Sequence, residues 1–500
     1  MPGHRTGRTG NRLLRFRAQR ARSGNLRCSP GRGSRRPGLL SRRNRAAWYK
    51  NSRSGPSTEG ATGHMASRPR HSLRQALRHL AVLRERNFRI FFIGYTTSML
   101  GTAMATVALA FAVLEATGSL SDLSFVMAAR IVPLVALLLG GGVLGDRLPR
   151  RLIMLCSDWL RALTQGALAV LLLTGSVRLW QLLLLAALGG VGEAFFKPSF
   201  DGLVPHVVSP ARLPDANTMI GLGNSVAGVA GPALAGILVT LASPATVLMV
   251  DAGTYALCAL FLMRLHVPPS RAAVVGTGVL RELRDGWGVF TAHRWLWTVT
   301  LQFTMFNFVV WAPYLVLGPA AADESYTGAG SWGAIVAVYG LGSVLGGLLL
   351  LGRRPSRPLL VTTLVTVLWA APSAALAAGA PLGVVCAGAL CAGVANSVFN
   401  ALWMTTIQQY VPREALSRVM SYVSFGAYSI GPLGLALAGP LAERTSISTV
   451  LAVGVCWQVA ANAFVLCLPS VRGVRLISAT GSAPPAKPAR EPTPQGGPPA

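Results

Sequence analysis

Five ionisable side chains lie inside stretches that are otherwise apolar: Arg130, Asp158, Arg161, Glu193 and Asp251. Charge in hydrocarbon costs roughly 2.5–3.5 kcal/mol per residue on insertion scales, so each is a candidate for function rather than decoration. The chemistry available to them is proton uptake and release. A carboxylate removed from water can titrate near neutrality, and an adjacent guanidinium holds it ionised until the two are separated. All seven His fall outside the apolar stretches, and no Lys lies at the middle of one. Any coupled proton therefore rides on Glu193, Asp158 or Asp251. The spacing of Asp158 and Arg161, three apart, puts them on one helix face as a local pair.

The elements that carry these residues follow from composition. Over 500 residues the chain is 52% hydrophobic and 13% charged, with mean hydropathy +0.48. That is too little charge to clothe water-soluble domains of this size, and it indicates a polytopic membrane protein. A bilayer core needs about 20 apolar residues per helix. Twelve such windows are predicted, at 88–114, 123–145, 152–173, 179–200, 216–241, 245–264, 296–319, 331–351, 359–378, 382–403, 418–441 and 447–468. Counted from these ends at about 1.5 Å per residue, Arg130 and Asp251 lie at similar depth from one side. Asp158, Arg161 and Glu193 lie about two turns from the other, which leaves Arg147 as an alternative structural partner for Glu193. Trp180, Trp295, Trp297 and Trp332, near span ends, read as an interfacial belt.

The net charge of +29 is lopsided: residues 1–64 carry +15 of it and form a basic tail without an apolar run, expected to be disordered. Three origins fit the tail: translation upstream of a true start at Met65, a solvated arm on the anionic leaflet, or a nucleic-acid arm. No nucleic-acid function is assigned. The chain has three Lys against 43 Arg, a bias that suggests a GC-rich genome. Six of the seven Cys lie in apolar segments without a CxxC pair or neighbouring His cluster, so neither disulfide nor metal chemistry is expected.

Charge also orients the spans. With the N-terminus in the cytoplasm, internal loops hold fifteen Arg and Lys against only Arg178 and Arg444 outside. Both termini are then cytoplasmic. The expected order is a lead-in (65–87), a six-helix bundle (88–265), a cytoplasmic linker with an amphipathic helix (266–295), a second six-helix bundle (296–469) and a Pro-rich disordered tail (470–500). An internal repeat supports the division. LGDRLPRRL at Leu144–Leu152 aligns with LGRRPSRPL at Leu351–Leu359, and LVPHVV at Leu203–Val208 with YVPREA at Tyr410–Ala415, both at an offset of 207. GPALAG at Gly231–Gly236 aligns with GPLGLA at Gly431–Ala436 at an offset of 200.

In this arrangement the turn after the second span, with Gly142, Asp146, Arg147, Arg150 and Arg151, resembles the G-x-x-x-D-R-x-G-R-R signature of the major facilitator superfamily, Pro149 replacing the second Gly. The blocks LRERNFRIFFIG, EAFFKPSFDGLVPHVV and VDAGTYALCALFL resemble its drug:proton antiporter-like branch, of macrolide-efflux and enterobactin-exporter type. The resemblance spans about residues 80–470. It implies an all-α membrane fold of twelve helices in two pseudo-symmetric six-helix bundles. Asp146 is implied to be a conformational gate facing the N-terminal end of the eleventh helix, near Arg418. Gly231, Pro232 and Gly236 are implied to form the helix 5 motif of antiporters, Ala235 standing where that pattern has Gly. Glu193 becomes the first candidate for proton coupling, because the fourth helix lines the central cavity of that fold.

The second half offers neutral amides and aromatics, and Asn307, Trp311, Asn396, Asn400 and Trp403 are its candidates for a substrate cavity. The expected function is a monomeric secondary active exporter in the bacterial plasma membrane. It would move hydrophobic or amphipathic drug-like molecules outward in exchange for protons, without cofactor or metal. A dedicated exporter of one endogenous metabolite, a siderophore or antibiotic, is the second reading, and a non-transporting sensor or scaffold the third. No G-x-x-x-x-G-K-[ST] loop occurs, and no nucleophile–base–orienter grouping points to an enzyme.

Overall fold

The computed structural model describes residues 80–147, 149–265, 287–353 and 355–475, without the side chains at 138–147, 413, 414 and 417. The basic tail, the lead-in before residue 80, linker residues 266–286 and tail residues 476–500 lie outside the described residues.

Among the described residues, twelve long helical spans run in sequence. The first half comprises α1 (Arg86–Thr117), α2 (Leu120–Arg147), α3 (Arg150–Leu173), α4 (Leu179–Val207), α5 (Leu213–Leu241) and α6 (Pro244–Met263). The second comprises α7 (Arg294–Ser325), α8 (Ala329–Leu350), α9 (Pro358–Ala377), α10 (Leu382–Tyr410), α11 (Arg413–Ser429 continued by Gly431–Arg444) and α12 (Ile447–Cys467). Eleven of these are long and apolar enough to cross a membrane. The remaining one, α3, spans 24 residues and carries Ser157, Asp158, Arg161, Thr164 and Gln165 after its two leading arginines, which lowers its hydropathy without shortening it.

Several helices outrun their hydrocarbon windows. The fourth continues past Phe200 to Val207 with Pro198 and Pro205 inside it, because a helix has no need to stop where the bilayer core does. Other prolines leave local marks. Pro313 cannot donate to the Val309 carbonyl, and α7 widens into a π-turn over Asn307–Trp311 just before it. Pro372 cannot donate to Leu368, and α9 tightens into a 3-10 turn over Thr366–Ala370. In α11 the segments meet at Ile430, ahead of Gly431 and Pro432.

Within the first half, α1 packs on α5 and α6, α2 on α4, and α3 on α4 and α6; within the second, α7 packs on α11, α8 on α10, and α9 on α10 and α12. The two halves meet mainly where α5 crosses α8 and where α2 crosses the Gly431–Arg444 segment of α11. These crossings are one contact seen from either half, as the sequence repeat requires. Glycines permit both. A Cβ on Gly333 of α8 would lie 2.5 Å from the Pro232 carbonyl, and one on Gly439 of α11 would lie 2.1 Å from the Leu120 carbonyl. Close backbone approach of this kind substitutes for hydrophobic driving force inside a bilayer.

The tryptophan belt is only half present. Trp180 and Trp297 are exposed, but Trp295 and Trp332 are buried. Trp332 packs on Tyr314 at 5.2 Å in a slot left by Gly318, and Trp295 meets Trp403 edge-on at 5.8 Å. Position along a helix places an indole near a membrane surface, but helix rotation decides whether it faces lipid.

Candidate functional site

The five ionisable residues inside the apolar stretches of the first half converge. Arg130 Nη2 donates to Glu193 Oε2 at 3.0 Å, joining α2 to α4. This corrects the depth assignment that set Arg130 beside Asp251. Because α4 runs to Val207, Glu193 is fourteen residues from either end of its helix and level with Arg130. Arg147, the alternative partner, has its side chain outside the described residues. Glycine again allows the contact: a Cβ on Gly190 would lie 2.0 Å from the Arg130 carbonyl, so α2 and α4 touch backbone to backbone one turn from the ion pair.

Arg161 is almost fully buried. Its Nη1 donates to Asp158 Oδ1 at 3.3 Å and its Nη2 to Thr102 Oγ1 at 3.1 Å. The guanidinium lies over the Tyr255 ring at 3.9 Å and near that of Phe196 at 5.0 Å, an arrangement that offsets lost hydration with ring quadrupoles. Thr102 Oγ1 and Tyr255 Oη are 2.8 Å apart. Gly192 leaves the space in which the Arg161 stem lies, since a Cβ there would be 2.7 Å from Arg161 Cγ. Asp251, fully buried, accepts from Gln165 Nε2 at 3.0 Å and has Thr254 Oγ1 at 3.3 Å. A narrow cavity reaches the cluster, lined by Arg130, Arg161, Thr164, Gln165, Gly189 and Tyr255.

Sequence reasoning did not single out Thr102, Gln165, Tyr255, Phe196 or the glycines 101, 190 and 192. One signal was available. Asp158, Arg161 and Gln165 stand at i, i+3 and i+7 on α3, and Asp251, Thr254, Tyr255 and Cys258 at i, i+3, i+4 and i+7 on α6. Each is a polar stripe on an apolar helix.

The second half repeats the crossing with neutral residues. A Cβ on Gly393 of α10 would lie 2.0 Å from the Tyr339 carbonyl of α8, the contact that Gly190 makes with Arg130. In this register Tyr339 stands where Arg130 stands, and Asn396, three after Gly393, stands where Glu193 stands. Asn396 accepts from Asn400 Nδ2 at 3.1 Å, and Asn400 is exposed. Asn307 Nδ2 donates to the Phe303 carbonyl at the start of the π-turn. Trp311, partly buried, lies 5.7 Å from both Tyr314 and Tyr339. Trp403 is interior, stacked on Phe399 at 6.1 Å.

Buried amides tie the second half together. Asn462 Oδ1 accepts from Gln302 Nε2 at 3.1 Å and from the Thr366 hydroxyl at 2.8 Å, while Gln458 Nε2 donates to the Thr366 carbonyl at 2.9 Å. Replacing Asn462 by Leu strands the Gln302 amide, while the Thr366 hydroxyl keeps the Thr363 carbonyl at 2.9 Å, and is expected to lower the thermal unfolding midpoint of the purified protein, by a loss of about 1–2 kcal/mol. An unchanged midpoint would show that the network contributes nothing to stability.

Of the turn motif, the side chains of Asp146 and Arg147 and the surroundings of Gly142 lie outside the described residues, as does any contact of Asp146 with Arg418. Arg150 donates to the Gly202 carbonyl, and Arg151 to the Leu262 and Met263 carbonyls at 2.8 and 2.7 Å, so the turn is tied to the ends of α4 and α6. The helix 5 motif lies on seams. A Cβ on Gly231 would meet Ala103 of α1 at 2.5 Å, and one on Gly236 would meet the Ala329 carbonyl of α8 at 2.9 Å.

The sequence profile of the Major Facilitator Superfamily matches residues 91–435. The chain belongs to this superfamily. It is a multi-pass membrane transporter and not an enzyme. It is 22% identical over 396 residues to macrolide efflux protein A of Streptococcus pyogenes, covering 77% of this chain and 94% of that protein. It is 27% identical over 373 residues to the multidrug efflux pump Tap of Mycolicibacterium fortuitum, covering 71% and 90%. Among solved structures, the nucleoside transporter NupG superposes with a TM-score of 0.60 at 14% identity, over 76% of this chain and 98% of that one. A bacterial homologue of the iron transporter ferroportin, in its inward-facing state, superposes with 0.58 at 17%, over 76% and 98%. At these identities the superpositions speak to the fold of the superfamily alone.

Proposed function

We propose that this transporter exports hydrophobic or amphipathic small molecules across the plasma membrane, driven by inward proton movement and alternating access of its two halves. The observation that carries the reading is the asymmetry of the two halves. Two buried carboxylates, Asp158 and Asp251, the partly buried Glu193 and two guanidiniums occupy the first, while the second holds Tyr339 and Asn396 in the register of Arg130 and Glu193. One half can exchange a proton; the other offers aromatic faces and amides to an apolar ligand. The names of the two relatives, one a macrolide and one a multidrug efflux protein, favour drug-like cargo. The Arg-rich end, with the α2–α3 turn, is placed in the cytoplasm together with both termini.

The turn motif Gly142–Arg151 is then a cytoplasmic latch, with Asp146 as its acid. Its counterpart at Gly352–Pro358 has Arg353 at the acid position, so the latch is one-sided. The test is accumulation of ethidium and of a macrolide panel in an efflux-deficient host expressing the protein, with and without an uncoupler. Exclusion that is abolished by the uncoupler is expected. Exclusion that persists after the proton gradient collapses would sink proton coupling, and failure to exclude any compound would favour a dedicated metabolite exporter.

A further inference from the structure

Three carboxylates and two guanidiniums share one layer of the first half, Asp158, Asp251 and Arg161 buried and the Arg130–Glu193 pair partly buried, so with every group ionised the layer holds one uncompensated negative charge. The guanidiniums are already committed. Arg130 is bound to Glu193 and Arg161 to Asp158. Among the described residues no cation pairs with Asp251, which takes an amide and a hydroxyl instead. Its surroundings are otherwise closed. The elements packed most closely against α6 are α1 and α3, which bring Gly101, Thr102, Asp158, Arg161 and Gln165, while Tyr255 and Cys258 follow on its own helix. Arg130 and Glu193 lie beyond, and Lys197, one turn further along α4, is exposed.

Hydrogen-bond accounting points the same way. The Thr254 hydroxyl has one hydrogen, and its shorter contact, 2.8 Å, is to the Asp251 backbone carbonyl. The 3.3 Å contact between Thr254 Oγ1 and Asp251 Oδ1 is then best made by a proton on the carboxyl, donated to the hydroxyl oxygen. The other carboxyl oxygen, Oδ2, accepts from Gln165 Nε2. A neutral Asp251 satisfies its own two carboxyl oxygens and the Thr254 hydroxyl and removes the excess charge from the layer, in which Asp158 Oδ2 has no hydrogen-bond partner.

We propose that Asp251 is the carboxyl that carries the coupled proton, and that Gln165 is the positioning residue linking it to the cavity. The assignment rests on the proton-coupled reading above and makes it specific. In the step itself, a hydronium in the cavity lined by Gln165 and Arg161 transfers its proton to ionised Asp251 and leaves water. Release reverses this toward the other compartment once the helices have moved. Asp251 is fully buried in this conformation, so Gln165, which lies between it and the cavity, must swing aside for exchange.

The experiment is infrared difference spectroscopy of the reconstituted protein across a pH change, reading the C=O stretch of a protonated carboxyl. The wild type, Asp158→Asn and Glu193→Gln are expected to retain the band, and Asp251→Asn to lose it. Because Asp251→Asn could disturb folding, Gln165→Leu and Thr254→Val supply a second reading. Each should shift the band position without removing it, since each deletes a hydrogen-bond partner of the same carboxyl. A wild type with no band, a band that survives Asp251→Asn, or a band that vanishes in Glu193→Gln overturns the assignment. The uncoupler experiment fails independently. Uncoupler-insensitive export with a band lost in Asp251→Asn would leave the proton on Asp251 and remove only its coupling to transport.

Discussion

Arg161→Met is expected to abolish transport and to reduce sharply the yield of folded protein, the largest effect of any single substitution in the first half. Arg161 touches α1 through Thr102, its own helix through Asp158, α4 through Phe196 and α6 through Tyr255. Methionine replaces the stem but not the charge, and Asp158 is left ionised and buried beside it. Removing one partner of a buried ion pair costs about 3–5 kcal/mol, because the remaining charge is uncompensated. A double-substitution cycle separates that penalty from lost packing. If the stranded carboxylate dominates, adding Asp158→Asn to Arg161→Met restores much of the thermal stability. If the double variant is no more stable than the single one, the ring and Thr102 contacts carry the effect. Arg161→Lys keeps charge without the planar fork, and should recover part of the stability but not both directed hydrogen bonds.

The second large effect is expected at Glu443, where the two halves meet near the α1–α2 turn. Its carboxylate accepts from the Ser121 backbone N–H at 2.9 Å, the Ser121 hydroxyl at 2.5 Å and the Ser119 hydroxyl at 3.1 Å. An acid on α11 therefore caps the start of α2, where free N–H groups and the helix dipole both favour negative charge. Three residues along α2, Ser124 Oγ accepts the Gly439 N–H at 2.6 Å. All these bonds cross between the halves, so in the proposed alternating-access cycle all break when this end opens. Loss of three bonds to a carboxylate at a solvated helix end is worth about 1–3 kcal/mol, enough to shift a two-state population by about fivefold to a hundredfold. In a cysteine-depleted background with spin labels at Ser176 and Ala378, Glu443→Ala should move the distance distribution toward longer values, and Glu443→Gln should do so less. An unchanged distribution in both variants would show that the cap does not hold this end closed. Gly439→Leu, by forcing α2 and α11 apart at the Leu120 carbonyl, should give the same shift by a steric route.

Much of the architecture is legible from the chain. Twelve apolar windows anticipate twelve spans, because hydrocarbon thickness sets a length that composition alone reveals. The repeat offset of 207 anticipates the equivalence of the α5–α8 and α2–α11 crossings, because equivalent segments fold to equivalent helices. Helix ends were less legible. The windows stopped α4 at residue 200 and α10 at 403, since hydropathy marks where lipid ends and not where backbone hydrogen bonding ends. That error of one to two turns is what separated Glu193 from Arg130 in the depth count.

The charged layer marks the boundary between local and global information. Composition placed five ionisable residues in hydrocarbon, and spacing alone joined Asp158 to Arg161, because i and i+3 share a face of any α-helix. Nothing local joins Arg130 to Glu193 or Gln165 to Asp251. Those pairs depend on the rotation and axial offset of helices distant in sequence, which are set by where Gly190 lets backbones approach and where Gly192 and Gly101 leave room for the side chains of Arg161, Asp251 and Thr254. The same holds for Trp295 and Trp332, whose types suit a membrane interface and whose burial depends on the facing helix. Sequence patterns thus settle how many helices there are, what they must avoid and which half holds the charge. Packing decides which carboxylate is left without a cation, because only the packed helices show that both guanidiniums are already taken.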